Sequence, residues 1–249
     1  MISVAKLTGH WPISFCKMGG FLFLFLPFFN ASNATNAQLP PDYIAKYSIK
    51  VGPMKIGRAI RSLEKLSDGR YQFISDSKST GFVSWFAKPR VVQTSIFHFK
   101  DGVIKPESYH FVNEKKLNVK QQYHWESQVV VSQRNDETIE YEIPLNTYDQ
   151  NIYQLAIMLD LGNKKRETSY QLAENKRLKT YKVEYAGTKT IDTIFGKLEV
   201  EKVRGKDKNG STVLWFAKRL KYLLVRIDYK EKGVTFTAYL DELSGISLE

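Results

Sequence analysis

Leu223-Leu224-Val225-Arg226-Ile227-Asp228-Tyr229-Lys230, then Glu231-Lys232-Gly233, then Val234-Thr235-Phe236-Thr237-Ala238-Tyr239-Leu240, reads as two strands joined by a tight turn. Leu223, Val225, Ile227 and Tyr229 alternate with Leu224, Arg226, Asp228 and Lys230. On the return, Val234, Phe236, Ala238 and Leu240 alternate with Thr235, Thr237 and Tyr239, the period-2 pattern of a half-buried strand pair. Gly233 takes the left-handed conformation that ends a three-residue hairpin loop. A lone hairpin is only marginally stable in water, so the rest of the chain must supply further strands and a cover for the apolar face.

The upstream sequence supplies the strands. Tyr43, Ala45, Tyr47, Ile49 and Val51 alternate with polar residues up to Gly52-Pro53. Ile56, Ala59, Ile60, Leu63 and Leu66 fall at helical spacing, against their strand-rich surroundings, and leave that segment open. Beyond the Ser67-Asp68-Gly69-Arg70 turn, strands are expected over Tyr71–Ser75 and Thr80–Phe86, then over Val91–Lys100, Val103–Val112, Leu117–Trp125 and Gln128–Gln133. Turn residues rather than helices join them, which favours antiparallel neighbours in an up-and-down meander. Thr168–Ala173, Lys179–Ala186, Thr190–Gly205 and Ser211–Phe216 continue the pattern, with Asn209-Gly210 as a hairpin signal.

One helix stands out. Over Thr147–Leu161, Thr147 and Gln150 make a capping box, Ile152, Leu155, Ala156 and Leu159 fall on one face, and Gly162 marks the stop. Asp149 in its first turn suits the helix dipole. The expected fold is mainly β, a strongly curved antiparallel sheet or open β-barrel meander with one amphipathic helix packed across it.

At 249 residues, 43% hydrophobic and 13% aromatic, the chain can bury a sizeable core. Lys6, His10 and Lys17 precede the apolar run Gly20–Phe29, which is short for a bilayer span, and the small-x-small sites Ser32-Asn33-Ala34 and Thr35-Asn36-Ala37 follow. Residues 1–37 therefore read as a secretory leader and 38–249 as a single β-rich periplasmic domain, soluble once the leader is cut. The only cysteine, Cys16, lies within that leader and lacks a lipoprotein cleavage box. The remaining domain then has neither disulfides nor a thiolate nucleophile. Loss of Lys6 and Lys17 lowers the formal charge from +11 to +9. The cations are dispersed through Lys115-Lys116, Lys164-Lys165-Arg166, Lys176-Arg177, Lys179 and Lys218-Arg219, a distribution that suits a solvated surface or anionic envelope polymers and headgroups. Nucleic acid is not expected as a partner of an exported chain.

Tyr47-Ser48-Ile49-Lys50-Val51-Gly52 with Gly57, Asp68-Gly69-Arg70-Tyr71, Thr80-Gly81, Pro144, Tyr148-Asp149-Gln150-Asn151-Ile152-Tyr153, Thr212–Phe216 and Tyr222–Ile227 carry a resemblance. The chain resembles the bacterial exported proteins grouped as domain of unknown function 3108, over roughly residues 40–243. The resemblance implies an exported, strand-rich domain of the Gram-negative envelope with no established activity, and no catalytic residue carries over. A looser likeness of layout links it to periplasmic lipoprotein carriers, at the level of fold alone.

Three constellations remain. Phe97-His98-Phe99, Tyr109-His110-Phe111 and Tyr123-His124-Trp125 place histidines on one strand face and aromatics on the other. In suitable register His98, His110 and His124 would form a three-imidazole zinc set, the basis of a metal-dependent hydrolase reading; otherwise they sit separately while the aromatics build a core. Trp85, Trp125 and Trp215, with Ile152, Leu155 and Leu159 of the helix, are candidate walls of a concave site for a lipid, an acyl chain or another apolar ligand, the alternative being a packed core. The chain has no Gly-x-Ser-x-Gly elbow, P-loop or dinucleotide fingerprint, and Glu140, Glu142, Asp149 and Asp160 have surface or helix-start roles. No enzyme activity and no cofactor are expected. The expected function is a non-catalytic envelope protein that binds an apolar ligand, or else a structural module contacting an envelope protein partner or an anionic cell-wall polymer.

Overall fold

The computed structural model describes residues 38–80, 90–114, 117–206 and 210–248. The leader read at residues 1–37 and the strand expected over Thr80–Phe86 fall outside them, apart from Thr80. Fifteen strands form one continuous, curved, open sheet. Strands β1 (Tyr43–Val51), β2 (Met54–Lys65), β3 (Tyr71–Ser79), β4 (Val91–Lys100), β5 (Val103–Asn113), β6 (Asn118–His124), β7 (Val129–Arg134) and β8 (Glu137–Glu142) run as a meander to one edge. The chain then crosses to the opposite edge. There β9 (Thr147–Asp149) and helix α1 (Tyr153–Gly162) precede the return meander. It comprises β10 (Ser169–Ala173), β11 (Leu178–Thr193), β12 (Gly196–Lys206), β13 (Gly210–Ala217), β14 (Leu223–Glu231) and β15 (Val234–Ser244), and β15 pairs with β1.

The β14–β15 hairpin is tighter than the three-residue loop expected. Glu231 pairs with Val234, and Lys232 and Gly233 between them are both left-handed, at φ 49° and 82°, the geometry that matches sheet twist. The open segment after Gly52 is strand β2. Paired on both sides by β1 and β3, it satisfies its backbone in two ladders, which overrides the helical spacing of its apolar residues. The strand expected over Thr190–Gly205 is in fact two, because the chain turns at Thr193–Gly196. Thr193 Oγ1 donates to the Gly196 carbonyl at 2.8 Å, and the β-branched and aromatic residues on both sides hide this turn in the sequence.

The helix region differs most. Thr147–Asp149 is not the first turn of a helix but an edge strand, the one parallel pairing among the described strands, against β10. Thr147 donates its hydroxyl to the Pro144 carbonyl at 2.8 Å, so no capping box forms. The Asp149 carboxylate instead accepts the N–H groups of Asn151 (2.7 Å) and Ile152 (2.9 Å) before α1 begins. Helix α1 packs across the sheet as expected, but it is buried on more than the one face its spacing gave: Leu155 to Leu159 and Leu161 are all buried, while Gln154 and Asp160 remain partly exposed. Arg61 of β2 donates to Gln154 of α1 while lying 5.7 Å from the Tyr47 ring, which ties the helix to the sheet wall.

The two ends of the sheet approach each other without a shared backbone ladder. Strand β9 lies against β5, and the β10–β11 turn is held by side chains of β6, β7 and β8. Gln121 donates to the Glu174 carbonyl (2.9 Å), Ser132 to the Asn175 carbonyl (2.8 Å), Tyr141 to the Glu174 carbonyl, and Lys176 pairs with Glu137 at 2.7 Å. A smaller apolar cluster, Tyr109, Tyr123, Val130, Ile143 and Ala173 with Tyr141 and Leu178 packed on it, draws on both sheet ends at this seam, apart from the large cluster around α1.

Candidate functional site

At the end of the sheet where α1 terminates, residues 38–42, Lys65 of β2, Tyr71 of β3, the last turn of α1 and the β13–β14 connection converge. They bound an open concavity of about 850 Å³. That size falls within the ~300–1,000 Å³ usual for small-molecule sites. A void beneath α1, bordered by Tyr43, Tyr47, Leu155 and Leu224, measures about 10 Å³, the scale of a single water. A second open concavity, of about 520 Å³, is bounded by residues 126–128, residues 142–144 and Leu178, and of these spaces among the described residues the mouth is the larger.

Each part of the mouth has a local cause. Pro40-Pro41 keeps the entry segment extended, and Asp42 Oδ1 accepts the Lys65 N–H at 2.9 Å, fastening the segment to β2. Gly245 (φ +89°) backs it: a Cβ there would lie 2.0 Å from the Asp42 carbonyl oxygen. Tyr71 stacks on Phe97 at 5.6 Å, meets Phe99 edge-on, and carries Lys65 Nζ 5.8 Å from its ring. Between β13 and β14 a 3-10 turn, Lys218–Leu220, is anchored by the fully buried Leu220. The chain then reverses through two consecutive left-handed residues, Lys221 (φ 53°) and Tyr222 (φ 57°). Burial pushes the Tyr222 phenol above its usual range; Glu201 adds to the shift and Arg166 opposes it. Met158 and Pro40 are buried in the floor, whereas Lys65, Lys164, Lys218 and Lys221 are exposed around the rim, with Asp42 the one carboxylate among the described lining residues. The mouth is thus apolar at its base and cationic at its edge.

A second constellation lies at the start of α1. Asp149 has no exposed surface. Its Oδ1 takes two backbone N–H groups, and its Oδ2 is buried without a hydrogen-bond partner. Desolvation pushes its pKa up to about 6, against the opposing pull of the Ile152 and Asn151 N–H groups and the Ser95 hydroxyl. Beside it, Asn151 donates to the Phe73 carbonyl (3.0 Å) and the Ser95 hydroxyl (3.2 Å) and accepts from Ser75 (2.8 Å). This knot joins the helix entry to β3 and β4. It offers no cleft to a substrate.

The residues expected from the sequence are dispersed. Trp85 lies outside the described residues. Trp125 stacks on Tyr123 at 5.9 Å, donates to the Pro106 carbonyl at 2.6 Å and packs on the smaller apolar cluster. Trp215 belongs to the larger cluster together with Ile152, Leu155 and Leu159. Its Nε1 donates to Asp228 at 2.9 Å, and Arg226 and Lys202 lie 4.8 and 5.6 Å from its ring. The structure does not bring the histidines together. His110 pairs across the sheet with Thr94 and Lys120, each four residues from His98 and His124 respectively. His98 approaches Glu107 at 3.2 Å and His110 contacts Asn118 at 2.8 Å. Among the described residues no group of three His, Cys, Asp or Glu side chains is placed to hold a metal. Phe97, Tyr109 and Tyr123 are buried as core.

The profile of a family described as "Protein of unknown function (DUF3108)" matches residues 46–241. The chain belongs to this family. The DUF3108 chain is similar in fold to a crystallised β-barrel-like protein of domain of unknown function DUF1849 from Brucella abortus. The TM-score is 0.53 at 10% identity, covering 84% of this chain and 98% of that one. A crystal structure with a YmcC-like fold from Bacteroides fragilis aligns at TM-score 0.37 and 9% identity, over 84% of this chain and 99% of that one. No curated protein matches the DUF3108 chain in sequence. The first likeness concerns fold alone.

Sequence reading of the DUF3108 chain misses the mouth. Lys164 and Lys218 stand out only as members of dispersed basic runs, Tyr71 and Tyr222 only as part of the family resemblance, and Lys65 and Lys221 carry no signal of their own. Their convergence depends on four elements far apart in sequence meeting at one end of the sheet.

Proposed function

We propose that this protein is a non-catalytic module of the bacterial cell envelope that binds an amphipathic ligand, a lipid or an acylated molecule, at the open end of its curved sheet. The observation that carries this reading is the concavity of about 850 Å³ with an apolar floor and a lysine rim, at the end of the sheet where α1 stops. Trp215, Ile152, Leu155 and Leu159 belong to the cluster packed around α1 and Trp125 packs on the smaller one, so in this reading they support the fold and the ligand contacts the mouth residues instead. Export to the periplasm rests on the charged start, apolar run and small-x-small sites of residues 1–37. Native mass spectrometry of protein released gently from the periplasm, with lipid extraction of the same sample, tests the reading. A stoichiometric amphipathic adduct supports it. A bare polypeptide mass, unchanged after incubation with envelope lipids, overturns it.

A second reading, an interaction module for an anionic cell-wall polymer, draws on one specific feature. Lys202, Trp215, Arg226, Tyr239 and Lys50 form a cross-strand ladder of alternating cations and rings from β12 to β1, with spacings of 4.8 to 5.6 Å. For that role polymer binding should fall steeply with salt.

A further inference from the structure

Resting on the reading of the mouth as an amphiphile site, we propose that the ligand is a phosphate-bearing lipid. Its headgroup is held at the rim by Lys164, Lys218 and Lys221, and its chain lies over Met158 and Tyr71. The first argument is charge. Among the described residues that line the mouth, four lysines come from three separate parts of the chain beside one carboxylate, Asp42, which already accepts a backbone N–H through Oδ1. A phosphate monoester carries between one and two negative charges and three acceptor oxygens, and matches such a rim better than a single carboxylate does. Lysine ammoniums are compact point charges that serve phosphate without demanding a planar partner.

The second argument is backbone conformation. Lys164 and Lys221 are left-handed, at φ 57° and 53°, and Tyr222 follows at φ 57°. Glycine is the residue that fits such positions without steric cost, and non-glycine residues held there concentrate at functional sites. Lys232, also left-handed, sits in a two-residue hairpin turn whose geometry requires it. Lys164 and Lys221 belong to wider connections, and both point the chain around the same mouth.

The third argument removes an objection. Helix C-termini repel anions through unsatisfied carbonyls. Here the N–H groups of Asn163, Lys164 and Lys165 bond back to the carbonyls of Leu159 (2.9 Å), Leu161 (3.0 Å) and Asp160 (2.7 Å), so the negative end of α1 is capped by the chain itself.

The test titrates the full chain with oleoyl lysophosphatidate, with monooleoylglycerol of the same chain length and a neutral head, and with inorganic phosphate. The phosphate lipid is expected to bind roughly tenfold or more tightly than the neutral one, as two or three charge-assisted contacts imply, and rising salt should erase the difference. Lys164→Gly combined with Lys221→Gly should bring the affinity for the phosphate lipid down to that for monooleoylglycerol and leave the melting temperature equal or higher, because glycine suits both positions. Lys218→Glu, outside the left-handed positions, should weaken the phosphate lipid in the same direction. Equal affinity for the two lipids overturns the headgroup assignment while the amphiphile reading survives. Failure of both lipids to bind overturns both. Displacement of the lipid by millimolar inorganic phosphate would show a site for free phosphate and overturn the lipid assignment.

Discussion

Asp149 carries a stability signature that can be measured directly. Its pKa rises from 3.8 to about 6 in the folded protein because burial removes the carboxylate from water. The folded state therefore binds the proton more tightly than the unfolded chain does, and stability grows as pH falls from about 7 towards 4. The full effect is on the order of 3 kcal/mol. Asp160, raised by burial, works in the same direction. Asp76, held down by Arg90, and Asp68, held down by Arg70, oppose it once pH drops below their ordinary range. Chemical denaturation across pH should accordingly show maximum stability in mild acid, with Asp149→Asn flattening the limb between pH 4 and 7. A maximum at neutral pH in the native protein would contradict the assignment. Lys221 makes the other residue-scale prediction. Relief of the left-handed strain by Lys221→Gly, less the greater unfolded-state entropy of glycine, should stabilise the fold by about 0.5–1 kcal/mol, read from the shift in urea midpoint.

At the scale of the element, α1 is the piece whose role changes most between sequence and structure. Thr147 and Gln150 look like a capping box because the local pattern is right, yet the segment Thr147–Asp149 gains more from pairing with β10 at an edge that would otherwise be unpaired. The helix is then only ten residues, marginal by itself, and depends on burial over more than one face. Leu155→Ala should cost about 2–5 kcal/mol, the range for a buried leucine whose surroundings cannot collapse. An exposed-helix role would limit the loss to under about 0.5 kcal/mol in the same denaturation experiment. The strands were far easier to read. Val91–Lys100 is reproduced to the residue, since alternation, Asp101-Gly102 and the neighbouring meander all point one way. The turn at Thr193–Gly196 was not, since Ile194 and Phe195 have strand-like chemistry and only the left-handed Gly196 marks the reversal.

For the whole molecule, the weak place is the seam between the sheet ends, where side chains substitute for a backbone ladder. Tyr141→Phe together with Gln121→Leu removes the hydroxyl and amide that grip the Glu174 carbonyl. Hydrogen exchange should then accelerate in β8 and in the β10–β11 turn, while the β1–β15 pairing near the middle of the sheet keeps its protection. Uniform loss of protection would indicate instead that the ends are not independently labile. The sequence by itself determined the strand-rich class, most turns, the family and the burial of Phe97, Tyr109 and Tyr123. Each of these is written in period-2 alternation or in short-range turn chemistry, which act over a few neighbouring residues. Only the tertiary structure decided that α1 starts at Tyr153 and is buried beyond its one expected face, that His98, His110 and His124 stay apart, and that lysines from positions 65, 164, 218 and 221 share one mouth. Those outcomes depend on strand register and on the curvature of a fifteen-stranded sheet, and both emerge from long-range pairing that no local stretch of sequence encodes.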